Sequence, residues 1–329
     1  MAGTRDKLSS SAAERDRRSA EALRQNLKKR KEQARARVEA PPASPPEVSG
    51  FFHEPTNTVT YLVVDVAGAQ ALIIDPVLDY DLATGRTSTA AADAVLAAVA
   101  ARGLKVAWIL ETHVHADHLS AAQYLKKATG APIGIGGGIV AVQQAFRPLF
   151  GAWDLVPDGS QFDRLFADGD QVLFGRHVIE VMHTPGHTPA CATYRIGDAL
   201  FVGDTLFMPD YGSARCDFPG GDAALLYRSV RRLLALPGET RMFLCHDYTA
   251  PGRDRFVWET TVQAQRDGNL HVRDGVSEEA FVTLRRQRDA TLSMPKLILP
   301  SVQVNMRAGR FPPPEADGSV YIRIPLDRI

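Results

Sequence analysis

Cysteine is scarce: Cys191, Cys216 and Cys245 are the three in 329 residues, and no two form a C-x-x-C pair. An odd, widely spaced set excludes a disulfide framework and a cysteine-rich zinc module. Long apolar runs are missing too. The longest, Ala94–Ala100 and the glycine-broken Ile133–Val142, fall short of the roughly 18 residues that cross a bilayer, so no membrane is expected. Neither sign of charge prevails, with 38 Lys plus Arg against 38 Asp plus Glu, which removes bulk attraction to nucleic acid. The N-terminus shows no apolar signal core, since Arg5, Asp6 and Lys7 stand there. It is also too acidic for a mitochondrial transit peptide, and the expected location is cytoplasmic.

Residues 1–49 hold 12 Lys/Arg and 7 Asp/Glu, no aromatic residue and six bulky apolar ones. Such a segment buries too little to fold alone. Ser11–Val38 favours helix and the proline run Pro41–Pro46 reads as a stiff linker. Residues 1–49 are therefore expected to be a disordered or helical basic extension, and 50–329 a catalytic domain with a C-terminal tail. The run Lys28–Lys31 reads as a solvated basic helix.

Within the second part, Thr58–Val66 and Ala71–Asp75 read as a hairpin, Ser88–Arg102 as a helix, and Lys105–Leu110 as a strand followed by the helix Ser120–Ala128. Short strands follow at Gln171–Phe174, His177–His183, Ala192–Ile196 and Ala199–Gly203, then the helix Asp222–Leu236 and the strand Met242–Cys245. This order predicts an α/β chain in which two sheets pack face to face under outer helices. Gly134, Gly136, Gly137 and Gly138 do not complete G-x-G-x-x-G, and they predict a mobile loop rather than a dinucleotide site.

His113, His115, Asp117 and His118 lie within six residues, directly after a predicted strand. Alternate residues of extended chain point the same way, so these groups can converge on one or two metal ions. Further on, the turn Pro185-Gly186 presents His187, Asp204 ends a strand, and His246-Asp247-Tyr248 ends another. His183 reads as structural, and His53, His177 and His271 as loop or surface residues without ligand-type neighbours. Cys216 and Cys245, though near these motifs, read as small inert apolar groups.

The ordered series T-H-x-H-x-D-H, P-G-H-T, G-D-T-L-F and H-D-Y resembles the metallo-β-lactamase fold superfamily over about Thr58–Tyr248. The resemblance implies an αββα sandwich with a metal site along the edge between its sheets. It assigns His113, His115 and His187 to a first ion, Asp117, His118 and His246 to a second, and Asp204 between them. Beyond Tyr248, the segments Gln263–Arg266, Asn269, Ser277–Val282, Leu297–Pro300 and Val304–Gly309 resemble the persulfide dioxygenases, as does the loop Gly212–Phe218. Two positions differ from that family: Ala214-Arg215-Cys216-Asp217 stands where Gly-Arg-Thr-Asp is usual, and Cys245 where glycine commonly precedes His-Asp-Tyr.

That family resemblance implies one Fe(II) per chain on His113, His187 and Asp204, a facial triad with open positions for a thiol persulfide and O2. His115, Asp117, His118 and His246 then orient the ligands. Arg215 is the candidate for a substrate carboxylate and Tyr248 for a hydroxyl donor. The implied reaction turns glutathione persulfide, O2 and water into glutathione and sulfite. The alternative is a zinc hydrolase of the glyoxalase II type, which uses the same groups for two ions and cleaves a thioester. That type carries a longer helical C-terminal domain than the one-helix tail expected here. An interaction protein led by the basic N-terminal helix is the third reading, opposed by the complete ligand set. A homodimer is left open.

Overall fold

The computed structural model describes residues 44–328. The expectations for residues 1–43 lie outside the described residues. The first sheet contains β1 (Glu47–His53), β2 (Thr58–Asp65) and β3 (Gln70–Ile74), then, beyond a small sheet of β4 (Val77–Asp81), β5 (Arg86–Ser88) and β7 (Leu119–Ser120), the strands β6 (Lys105–Leu110), β8 (Ile133–Gly136) and β9 (Arg164–Phe166). Its order is β1-β2-β3-β6-β8-β9, antiparallel up to β3 and parallel from there on. The second sheet runs in chain order: β10 (Gln171–Phe174), β11 (His177–His183), β12 (Ala192–Ile196), β13 (Ala199–Phe201), β14 (Arg241–Phe243) and β15 (Glu259–Thr261).

Side-chain alternation sorts β2 into layers. Val59, Tyr61 and Val63 pack with Ile179, Val181, Tyr194, Phe201 and Phe243 of the second sheet, so they fill the space between sheets. Leu62 and Val64 point the other way, onto α1 (Ala90–Ala101), α2 (Ala122–Thr129) and α3 (Ile139–Phe150), through Val95, Val99, Leu125, Val142 and Phe146. Behind the second sheet, Leu200, Met242 and Leu244 pack on Leu226, Val230 and Leu233 of α4 (Ala223–Leu234). Asp222 starts that helix by accepting the Leu225 N–H at 2.9 Å. The result is the αββα sandwich the sequence implies.

Three expectations are corrected. First, β1 begins at Glu47, so the sheet starts before Gly50; Val48 packs against the inter-sheet core, which a boundary drawn from proline and charge could not detect. Second, Gly134–Gly138 is no mobile loop. Gly134 and Gly136 lie in β8 and Gly138 caps α3, because a Cβ would meet the Phe166 ring at 2.4 Å and the Pro189 carbonyl oxygen at 2.0 Å at positions 134 and 138. Third, the tail carries three helices: α5 (Val262–Gly268), α6 (Glu278–Asp289) and α7 (Ile298–Asn305).

The tail also buries His271, which was expected in a surface or loop setting. Its Nδ1 accepts the Ser213 N–H at 3.0 Å, and burial, with Arg285 and Arg288 nearby, pushes its pKa down to about 4. His177 is buried as well, 3.9 Å from Asp65, while His53 is half-buried between Thr56 and Asp79.

Two outcomes follow. Deleting residues 1–44 is expected to leave metal content and thermal midpoint unchanged, whereas deleting 1–53 removes β1, bares the β2 edge and should cause aggregation visible by light scattering. Between about pH 6.5 and about pH 4 the unfolded chain protonates position 271 while the folded chain does not, so stability must fall as pH falls, by about 1.4 kcal/mol per pH unit from this group. Urea unfolding of His271→Asn should show a shallower pH dependence than the unaltered protein over that window; an identical slope would assign the sensitivity elsewhere.

Candidate metal centre

Every ligand-type group arrives at a strand end on one edge of the sandwich. β6 leads into Glu111–His118, the turn after β11 carries His187, the short helical turn after β13 carries Asp204, and His246 follows β14. Their ligand atoms form two sets, His113, His187 and Asp204 in one and His115, Asp117, His118 and His246 in the other, each mutually within 4.8 Å. Asp204 lies between them: its Oδ2 is 3.7 Å from His113 Nε2 and 3.6 Å from His187 Nε2, and its Oδ1 is 3.2 Å from His246 Nε2. Asp117 Oδ2 stands 3.4 Å from His246 Nε2 and 3.5 Å from His118 Nδ1.

The far side of each ring is held. His187 Nδ1–H donates to the Arg215 carbonyl at 2.7 Å and His246 Nδ1–H to the Asn57 carbonyl at 3.1 Å, while His113 Nδ1 meets Thr112 Oγ1 at 3.0 Å. His115 Nε2 lies 3.0 Å from Asp75 and 3.3 Å from Glu111. With those nitrogens occupied, His113 Nε2, His115 Nδ1, His118 Nε2, His246 Nε2 and Asp204 Oδ1 are buried without a hydrogen-bond partner. The 3.2 Å approach of His246 to Asp204 is outside hydrogen-bonding geometry. Five buried, unpaired atoms on histidine and carboxylate at one site are the chemistry that a transition metal completes, and the residues fit one.

Electrostatics prepare the same state. Burial, with the neighbouring imidazoles His115 and His187, holds His113 well below the usual histidine range; burial and His115 push His118 down to about 4. Both are therefore neutral, the form that ligates. Burial raises Asp117, but His246 and His118 outweigh it and keep the carboxylate ionised. His115 differs: burial opposes a proton there, yet Asp75 and Glu111 override it, so unlike His113 and His118 this ring has to give up a proton before its Nδ1 can ligate.

A cavity of about 140 Å³ opens on Asp117, His187 and Asp204. Its walls include Phe207, Phe218 and Leu292, and its polar groups include Tyr211, Arg215, Tyr248 and Arg288. Tyr248 stacks on the His246 ring at 5.7 Å between centroids. Arg215 is committed: its fork meets Asp217 with two 2.6 Å bonds, and a third reaches the Ser293 carbonyl at 2.7 Å. The thiols are shut away, Cys191 being pushed by burial to about 12 and Cys216 and Cys245 well above the usual range.

Sequence reasoning passed over Asp75, Thr58, Tyr211 and Arg288. Asp75 had a usable signal, a carboxylate ending β3 as Asp204 ends β13. It accepts the Thr112 N–H at 2.7 Å as well as facing His115. Tyr211 and Arg288 stand outside the histidine motifs and carried none.

Residues 53–246 match the family model of the Metallo-beta-lactamase superfamily. The chain is 55% identical to the "Probable metallo-hydrolase" of Burkholderia pseudomallei, over 86% of this chain and 99% of that protein. It is 46% identical to "Glyoxylase B2" of Dictyostelium discoideum (81% and 92%) and 33% identical to "Persulfide dioxygenase ETHE1, mitochondrial" of Bos taurus (80% and 89%). Among solved structures, ETHE1 from Myxococcus xanthus superposes with a TM-score of 0.65 at 31% identity, covering 80% of this chain and all of that one. With the sandwich, the strand-end ligands and these likenesses together, the chain belongs to the metallo-β-lactamase superfamily.

Proposed function

We propose that this protein oxidises a thiol persulfide, glutathione persulfide or a close relative, with O2 and water to give the thiol and sulfite. The observation that carries the reading is the compact set of two histidines and one carboxylate, with His113 and His187 each within 3.7 Å of Asp204 Oδ2. Two nitrogens and one oxygen on one side of a site match non-haem Fe(II). Held by His113, His187 and Asp204, such an ion would supply the redox chemistry.

The chain supplies the rest. The Arg215 carbonyl fixes the His187 ring, and Phe207, Phe218 and Leu292 keep water from the reacting sulfur. Tyr248 lines the cavity, and its hydroxyl is the proposed hydrogen-bond donor to the substrate. Arg288 is the guanidinium to receive a substrate carboxylate. It lines the same cavity beside the Tyr211 ring, and its side chain makes no hydrogen bond or ion pair among the described residues, unlike Arg215 with Asp217 or Arg285 with Asp289.

The second reading, a dinuclear zinc thioester hydrolase, is favoured by the buried set His115, Asp117, His118 and His246, and by the likeness to a glyoxylase. Metal stoichiometry separates the two. We expect about one metal per chain, lost on replacing His113, His187 or Asp204 by Ala. His118→Ala and His246→Ala should keep most of it with activity down on the order of 10-fold to 100-fold. Two metals per chain, falling to one in His118→Ala, would move the assignment to the hydrolase. Protein purified under low oxygen should consume O2 and form sulfite from glutathione persulfide; zinc content with thioester cleavage and no O2 uptake overturns the proposal.

The arginines are separable in the same assay. Arg288→Gln should raise KM roughly 10-fold to 100-fold with kcat nearly kept, as expected when a charged hydrogen bond is lost equally from ground and transition states. Arg215→Ala should lower kcat instead, because it frees the loop whose carbonyl holds His187.

A further inference from the structure

The metal loop Glu111–His118 carries four of the seven ligand-type side chains, and all four lie beyond Thr112, the last of its residues whose backbone bonds to a strand among the described residues. A residue of the tail meets it there. Asn305, the last residue of α7 and 4% exposed, donates from Nδ2 to the His115 carbonyl at 2.9 Å and to the His118 carbonyl at 2.8 Å. Its Oδ1 accepts the Ser120 N–H at 2.8 Å. Both amide protons and the oxygen are thus used, and all three partners belong to the segment from His115 to Ser120.

The chain directly after Asn305 is itself held in place. The Met306 carbonyl accepts Gln143 Nε2 at 2.9 Å, and Arg307 meets Asp154 through bonds of 2.8 and 2.9 Å. Gly309, at φ +82°, lets the chain pass so close to the loop that a Cβ would stand 2.9 Å from the Ser120 carbonyl oxygen.

We propose that Asn305 is a positioning residue that sets the spacing of His115 and His118, so that the C-terminal tail governs metal affinity. An asparagine meets this need where neighbours in size do not. Aspartate would keep the bond to Ser120 but lose both donors and press a carboxylate against two carbonyl oxygens, and glutamine would carry the amide one methylene too far. Because Asn305 holds the loop through its backbone, the ligand affected in a mononuclear enzyme is His113, two residues before the His115 carbonyl, and in a dinuclear enzyme His118 as well.

The test uses the full chain and Zn2+ or Co2+ as the probe, with affinity measured by chelator competition and site geometry by Co2+ absorption. Asn305→Asp is expected to weaken metal binding about 10-fold to 100-fold and to change the Co2+ spectrum. Gln303→Ala is the comparison. It cuts the bonds from α7 to the Arg323 backbone without touching the loop, and should lower the thermal midpoint while leaving affinity and spectrum unaltered. Unchanged affinity in Asn305→Asp, or an equal loss in Gln303→Ala, would overturn the proposal and leave Asn305 a packing residue. Should Asn305→Asp fail to fold, Asn305→Gln is read by the same two outcomes.

Discussion

An imidazole nitrogen or carboxylate oxygen shut away from water with nothing to bond destabilises a folded chain by about 1–3 kcal/mol. Four such nitrogens and one such oxygen face one another at the edge of this sandwich. Left alone they would relax toward solvent or toward each other's protons. The other nitrogen of a ring is already held, and much of the molecule is arranged to that end: Thr112, Asp75, the Arg215 carbonyl and the Asn57 carbonyl each occupy the far side of a ring. A metal then meets atoms that are already desolvated and aimed.

The two sheets present the loops, but the tail keeps them in register. Gln265 donates to the Phe207 carbonyl at 2.8 Å, Asn269 to the Gly212 carbonyl at 3.1 Å, and Arg285 to the Ser213 carbonyl at 3.0 Å, while Asp289 accepts the Cys216 N–H at 2.9 Å. These bonds hold the loop from Phe207 to Cys216, and that loop in turn supplies the carbonyl that orients His187. Polar side chains are used because a loop carries unpaired backbone groups that apolar packing alone would leave unsatisfied. The Arg285–Asp289 pair is fully enclosed, and its role in holding two loop backbones accounts for charges buried so far from solvent.

The same division separates the chemistry of the site from its selectivity. Strand ends supply the ligand groups, a property shared across the superfamily, and the fold alone does not choose between oxidation and hydrolysis. The loop after Asp204 and the helix α6 supply most of the aromatic walls and the arginines of the cavity. One arginine of the cavity is paired with Asp217 and another with Asp289, while Arg288 has no ion pair among the described residues.

How much was legible in the sequence follows from the range of each signal. β-Branched and aromatic content placed Thr58–Val66 and its neighbours as strands, and four ligand-type groups in six positions, with His187, Asp204 and His246, marked the centre, because a ligand loop is a local feature that needs no partner to be recognised. What lay beyond local reach required the folded chain. Whether Gly134–Gly138 was loop or strand depended on Phe166 and Pro189, distant in sequence. Whether Arg215 or Arg288 was free to bind depended on which of them Asp217 had already taken. Asn305 could be quoted as part of a motif, yet its contact with His115 spans 190 positions. The sequence by itself determined the layers and the ligand types, since those follow from periodicity and side-chain chemistry. Tertiary structure alone decided which polar atoms remain unpaired, because pairing is a property of atoms brought together by folding.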